Sequence, residues 1–128
     1  MKKTSLLRKQ ILEDSILTMP GAHDALTAKI VEQSGFKAVT IGGYSASASL
    51  LGKPDLSFLS LTEMANCVRR IVVIVDIPVF TDGDTGHGGV LNVAHTVREI
   101  ERSGAAGMFI EDQVCVPSVS LRDFNFGG

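Results

Sequence analysis

Residues 78–89 read PVFTDGDTGHGG, and the interpretation of this stretch decides the rest of the chain. A short apolar run, Pro78-Val79-Phe80-Thr81, stops at Asp82-Gly83-Asp84 and passes into a loop of Thr85, Gly86, His87, Gly88 and Gly89. Asp and Gly are both depleted inside strands, so the run is a strand that ends where the acids begin. A carboxylate buried without a partner is costly, so an acid at a strand end calls for a cation. A spacing of two along a strand would put Asp82 and Asp84 on one face. Two hard oxygen ligands beside a loop of small residues suit Mg²⁺ or Mn²⁺ and an anionic substrate. The competing interpretation is a plain turn, because Asp-Gly and Gly-Gly are turn dipeptides. A calcium loop is excluded: its fifth position would be Gly86 and its twelfth Val93, where oxygen ligands are required.

Working outward, the pattern predicts a first helix over 6–13, capped by Thr4 or Ser5, and a short strand over 15–20 stopped by Pro20-Gly21. A helix over 23–33 carries Ala25, Leu26, Ile30 and Val31, with Gly35 ending it, and 37–41 (KAVTI) is a buried strand. Residues 42–52, GGYSASASLLG, read as a loop of small residues that lets a ligand approach the backbone. Thr62 is expected to cap a helix running through Arg69 and Arg70. After the 78–81 strand comes a helix over 90–103, with Val93, Val97 and Ile100 along one stripe, and a strand over 106–110 ending in Glu111-Asp112.

Strand and helix thus alternate four times with short connections, which predicts a parallel sheet with helical crossovers. Gly42-Gly43, Asp82-Asp84 and Glu111-Asp112 all fall at carboxyl ends of strands, the edge where such sheets build their sites. A closed barrel takes about 250 residues. Four strands in 128 residues make about half of one, as in the N-terminal half of a (β/α)8 TIM-type barrel, and an open α/β sheet fits the same pattern.

A net charge of −2 favours neither a nucleic-acid nor a membrane-surface partner. The longest aliphatic run, 71–75, is too short to span a bilayer. Cys67 and Cys115 form no disulfide framework, and a reduced cytoplasmic setting is the expectation.

The motifs taken together, Gly42-Gly43-Tyr44-Ser45 through Gly52-Lys53-Pro54-Asp55, then Asp82-Gly83-Asp84-Thr85-Gly86-His87-Gly88, then Gly104-Ala105-Ala106-Gly107 and Ile110-Glu111-Asp112-Gln113, occur in an order that resembles the isocitrate lyase / phosphoenolpyruvate mutase superfamily. The similarity extends from about Arg8 to Cys115 and is nearest in flavour to the 2-methylisocitrate lyase, dimethylmalate lyase and carboxyphosphonoenolpyruvate mutase group. The resemblance implies that Asp82 and Asp84 hold Mg²⁺ (or Mn²⁺), directly or through water, and that Glu111 completes the metal surroundings. It implies that Gly42, Gly43 and Tyr44, with Asp82, bind a small carboxylic-acid substrate, and that Asp55 is a catalytic acid on a mobile lid. The implied activity is Mg²⁺-dependent carbon–carbon cleavage of a 2-methylisocitrate or dimethylmalate-type diacid through an enolate. Mutase chemistry on phosphoenolpyruvate or phosphonopyruvate, and processing of oxaloacetate, use the same machinery and stay open. Full-length relatives are expected to be homo-oligomers.

One departure stands out. The lyases carry a Lys-Arg-Cys-Gly-His segment, with an acid/base Cys, shortly after the position of Glu111. Here the chain continues Cys115-Val116-Pro117-Ser118, and Cys115 comes too early to take that role. Residues 1–115 are therefore expected to form a partial barrel and 116–128 an aberrant, frameshifted or truncated tail. Such a chain is expected to be an inactive fragment, or a non-catalytic piece that associates with another chain.

Overall fold

In the computed structural model, which describes residues 1–112, five helices surround a parallel three-stranded sheet of order β1-β2-β3. The strands are β1 (Val39–Ile41), β2 (Val79–Asp82) and β3 (Gly107–Phe109). Val39 pairs with Val79 and Ile41 with Thr81, while Phe80 pairs with Gly107 and Asp82 with Phe109. The helices are α1 (Lys3–Ile11), α2 (Ala25–Gln33), α3 (Gly43–Leu51), α4 (Leu61–Val72) and α5 (Val90–Arg102). Among the described residues, no helix is long and apolar enough to cross a membrane.

The core is built from Val39, Ile41 and Val79 on the sheet and Val68, Ile71, Ala28 and Ile100 on α4, α2 and α5. All of these are essentially inaccessible to water. Burying one Val or Ile side chain of this kind contributes about 1.5–3 kcal/mol, so this layer fixes which strand face meets the helices. On α1, Lys3 Nζ donates to the Val72 carbonyl at 3.3 Å and also to that of Val75. Those carbonyls lie at the end of α4, where helical carbonyls lack partners and a cation is favourable.

Several elements differ from expectation. The loop predicted over 42–52 is the helix α3, ended by Gly52 in the left-handed region at φ 62°. The Ser/Ala-rich run reads as flexible, yet Ala is the best helix former and the Gly at each end serves as a cap. The strand predicted over 15–20 does not form. An isolated parallel bridge between Gly21 and Thr40 takes its place, made by Thr40 N–H to the Pro20 carbonyl and Ala22 N–H to the Thr40 carbonyl. Pro20 has no N–H to donate, so a regular ladder cannot run through it. The α1 helix starts earlier than predicted and has no side-chain cap from Thr4 or Ser5. On α2, Ala28 and Val31 are buried while Leu26 and Ile30 are exposed, and Asp24 caps the helix by accepting from Thr27 N–H at 2.7 Å. On α5 the inward stripe runs through Thr96 and Ile100, and Val97 faces outward. The strand ends shift by a residue or so, β2 taking in Asp82.

Ser60, rather than Thr62, caps α4: its hydroxyl accepts from Glu63 N–H at 3.3 Å, and the Glu63 carboxylate accepts from Ser60 N–H at 2.8 Å. This reciprocal capping box satisfies two otherwise orphaned donors. Ser60→Ala is therefore expected to destabilise the chain by about 1 kcal/mol, and Thr62→Ala to change it by less than about 0.5 kcal/mol. Equilibrium urea unfolding of the two variants checks this, and equal effects would contradict the assignment of the cap.

Candidate functional site

The site begins where β2 ends. Asp82 is the last residue of the strand and only 6% exposed, and both of its carboxylate oxygens accept backbone N–H bonds. Oδ2 accepts from Gly43 N–H, at the first turn of α3, at 3.0 Å, and Oδ1 accepts from Asp84 N–H at 2.7 Å. A helix N-terminus presents free donors and a positive dipole end, so this carboxylate is held in place without a cationic side chain. Asp82 thereby fastens α3 to the loop that follows β2.

The loop itself turns sharply. Asp84 lies in the left-handed region at φ 51°, and its carboxylate accepts from Thr85 N–H at 2.7 Å. Simple alternation along a strand therefore does not place Asp82 and Asp84 together. The strand stops at Asp82, and the turn brings Asp84 round to the same cavity. Gly83 is needed at this bend, because a Cβ there would lie 2.4 Å from Met108 Cε and 2.9 Å from the Phe109 carbonyl oxygen. Gly83 N–H donates to that carbonyl at 2.9 Å, and Glu111 N–H donates to the Asp84 carbonyl at 2.9 Å. These two bonds staple the end of β3 to the acidic loop and set Glu111 beside it.

Asp82, Asp84, Glu111 and Asp55 all line one cavity of about 220 Å³, with Gly43 in its wall. Among the described residues, no Lys or Arg lines it. Asp55 comes from the segment between α3 and α4, and its carboxylate closes over Gly43: a Cβ on Gly43 would lie 2.9 Å from Asp55 Oδ2 and 3.0 Å from Asp82 Oδ2. Desolvation raises the pKa of Asp55, and the charges of Asp82 and Asp84 push it further up. Glu111 is raised in the same way, by desolvation first and then by Asp82, Asp84 and Asp55. Like charges gathered in one partly desolvated place disfavour ionisation, and a cation among them reverses that.

The fit to a divalent ion follows from the donor set. The candidates are carboxylate oxygens, hard ligands suited to Mg²⁺ or Mn²⁺. Among the described residues, no three His, Cys, Asp or Glu side chains converge tightly enough to form a ready-made ligand shell. Mg²⁺ keeps several of its waters and is commonly held by one or two carboxylates plus substrate, so the arrangement suits a hydrated ion better than a protein cage.

Of the predicted site residues, the fold brings Gly43, Asp55, Asp82, Asp84 and Glu111 together. Gly42 is the N-cap of α3, its carbonyl accepting from Ala46 N–H and Ser45 Oγ, and Tyr44 is 70% exposed; neither lines the cavity. The Gly43 N–H predicted to meet substrate is engaged by Asp82. Ser57 lines the cavity as well, outside the predicted site residues, and so does His87, whose Gly-rich loop reads equally as a substrate contact or a solvated turn. Cys115 and the tail lie outside the described residues. A larger cavity, of about 390 Å³, lies between α2, the end of α3 and α4. Its polar groups are used locally: Asp24 caps α2, Glu63 belongs to the capping box, and the Cys67 thiol donates to the His23 carbonyl at 3.5 Å. It sits away from the strand ends that carry the acids.

Comparison with known proteins places this geometry. The family model described as phosphoenolpyruvate phosphomutase matches residues 7–124. The chain is 44% identical over 114 residues to a 2,3-dimethylmalate lyase of Eubacterium barkeri, covering 89% of this chain and 39% of that protein. It is 50% identical over 104 residues to a chloroplastic carboxyvinyl-carboxyphosphonate phosphorylmutase of Arabidopsis thaliana, covering 80% of this chain and 31% of that protein. Among solved structures, a phosphonopyruvate hydrolase in complex with oxalate and Mg²⁺ superimposes with a TM-score of 0.86 at 33% identity, covering 98% of this chain and 45% of that one. The chain thus spans between 31% and 45% of the length of these proteins, and its parallel α/β unit is the N-terminal half of a (β/α)8 barrel. With the ordered motifs and the acidic strand ends in agreement, the chain belongs to the phosphoenolpyruvate phosphomutase family, within the isocitrate lyase / phosphoenolpyruvate mutase superfamily.

Proposed function

We propose that this chain carries the metal- and substrate-holding half of a Mg²⁺-dependent carbon–carbon lyase acting on a 2-methylisocitrate or dimethylmalate-type diacid. The observation that carries the proposal is the convergence of Asp82, Asp84 and Glu111, from the carboxyl ends of β2 and β3, with Asp55 on one cavity that, among the described residues, no Lys or Arg lines. Similarity to a 2,3-dimethylmalate lyase supports the substrate class.

The roles of the residues follow from their placement. Asp82, fixed by two backbone donors, provides a rigid negative anchor. Asp84 and Glu111, joined through the Asp84 carbonyl, would hold the ion together with Asp82. Gly43 lets substrate and carboxylates approach the start of α3 closely. Asp55, which reaches the cavity from the segment between α3 and α4, is the group suited to exchange a proton near the reacting atoms. A bound Mg²⁺ supplies positive charge against the negative charge that develops on the substrate oxygens as the bond breaks.

Isothermal titration with Mg²⁺ tests the metal reading. Asp82→Asn is expected to weaken binding at least about tenfold, the scale of one lost charged contact. Gly43→Ala is expected to weaken it too, because the new Cβ displaces the Asp55 and Asp82 carboxylates. The pH dependence has a definite sign. Raised carboxyl pKa values mean that protons compete with the metal over a range above the ordinary values of 3.8 for Asp and 4.5 for Glu. Affinity should therefore fall as pH is lowered towards that range, with protons released on binding. Affinity that stays flat down to pH 4.5, the ordinary Glu value, would contradict the arrangement.

Activity is tested with a coupled pyruvate assay on 2-methylisocitrate and 2,3-dimethylmalate. A version extended to the length of its relatives should lose turnover on chelation with EDTA and in Asp84→Ala. Turnover that survives both sinks the metal mechanism, and preference for phosphonopyruvate would favour mutase or hydrolase chemistry over lyase chemistry. The 128-residue chain alone is expected to be slower by at least about a hundredfold, the scale of one missing positioned acid/base.

A further inference from the structure

His87 is a residue of the acidic cavity that the metal reading leaves unused. Among the described residues, it is the only one lining the cavity whose side chain carries nitrogen; the other described lining groups are carboxylates, the Ser57 hydroxyl, a glycine and apolar side chains. Its position is tightly set. Gly86, His87 and Gly88 are three successive left-handed residues, at φ 91°, 57° and 140°. The buried Thr96 hydroxyl on α5 donates to the Gly86 carbonyl at 2.9 Å. A Cβ on Gly86 would lie 2.5 Å from Val93 Cγ2, and one on Gly88 would lie 2.7 Å from Asn92 Cγ. The loop is therefore pressed onto α5 on both sides of His87. Histidine is one of the few side chains that enters the left-handed region readily, and non-glycine residues held there cluster at functional sites.

A diacid in this cavity faces an electrostatic problem. One carboxylate is accounted for by the metal. The other would lie among Asp55, Glu111 and their neighbours, where it needs an N–H or O–H donor. An imidazole offers at least one N–H donor in either protonation state, so this argument requires no particular charge on it.

The geometry points to His87 as a specificity-determining residue that donates a hydrogen bond to the substrate's distal carboxylate, the one remote from the metal. This rests on the metal-dependent diacid reading above. Relatives that act on substrates without that distal group would have no use for such a donor, so His87 would select for the longer diacid.

The test compares two ligands by calorimetry on the chain with saturating Mg²⁺. Oxalate has two directly joined carboxylates and no distal arm, whereas 2,3-dimethylmalate has one. His87→Gly removes the donor and relaxes the left-handed position. It is expected to weaken 2,3-dimethylmalate by roughly tenfold, the scale of one hydrogen bond to a charged group, and to leave oxalate and Mg²⁺ within about twofold. Free imidazole added to the variant should restore part of the lost diacid affinity, which a purely structural role would not show. His87→Asn, which also tolerates the left-handed region but has a shorter donor, should fall between the two. Equal weakening of both ligands, or no weakening of either, overturns the inference while leaving the metal reading intact. Failure of the unmodified chain to bind oxalate with Mg²⁺ overturns both.

Discussion

The Asp82 carboxylate is the joint on which this half-barrel site depends. It is buried at the end of β2, and its two oxygens reach in different directions: one to the first turn of α3, the other into its own loop. Hydrogen bonds to a charged group contribute about 1.5–3 kcal/mol each, enough to offset much of the cost of burying the charge. Asp82 is thus both a structural fastener and a member of an acidic cluster. The two roles are compatible because each carboxylate oxygen has a second lone pair, which a water or a hydrated ion can use.

The neighbouring acids depend on that joint. Gly83 permits the bend that returns Asp84 to the cavity, and the Glu111 N–H bond to the Asp84 carbonyl ties the end of β3 to the same turn. Asp55 arrives from the other side, over Gly43, at a distance that only a missing side chain permits. Three strand or helix ends therefore deliver negative charge to one small volume. The pKa values of Asp55 and Glu111 are raised by desolvation first and by the neighbouring carboxylates second. Such crowding is unfavourable unless a cation belongs there, whereas the larger cavity beside α2 and α4, where Asp24, Glu63 and the Cys67 thiol have local partners, lies away from the strand-end acids.

Much of this was legible in the sequence, for reasons that can be stated. Parallel strands buried against helices leave apolar runs such as 78–81, and chemistry at strand ends leaves Asp82, Asp84 and Glu111 where those runs stop. What was hidden is equally physical. The helix α3 was missed because Gly, Ser and Ala at 42–52 look like a loop, and no local pattern shows that Asp82, nearly forty residues on, satisfies the free N–H of its first turn. The Ser60 cap was signalled by Glu63 three residues later, but Thr62 lay nearer the apolar run and drew attention away. The left-handed turn at Asp84 cannot be seen in a period-two argument, which placed the right residues together by the wrong geometry. His87 reads from its Gly-rich loop equally as a substrate contact or a solvated side chain; only the folded loop shows that it lines the acid cavity.

The central claim is that these carboxylates surround a hydrated divalent ion. The most direct measurement is anomalous X-ray scattering from crystals grown with Mn²⁺. The account predicts one strong peak inside the Asp82–Asp84–Glu111 cavity, about 2 Å from any directly bound carboxylate oxygen and about 4 Å from those reached through a single water. Mn²⁺ found only elsewhere on the molecule, with Asp82 still bonded to Gly43 and Asp84 and that cavity empty, would contradict it.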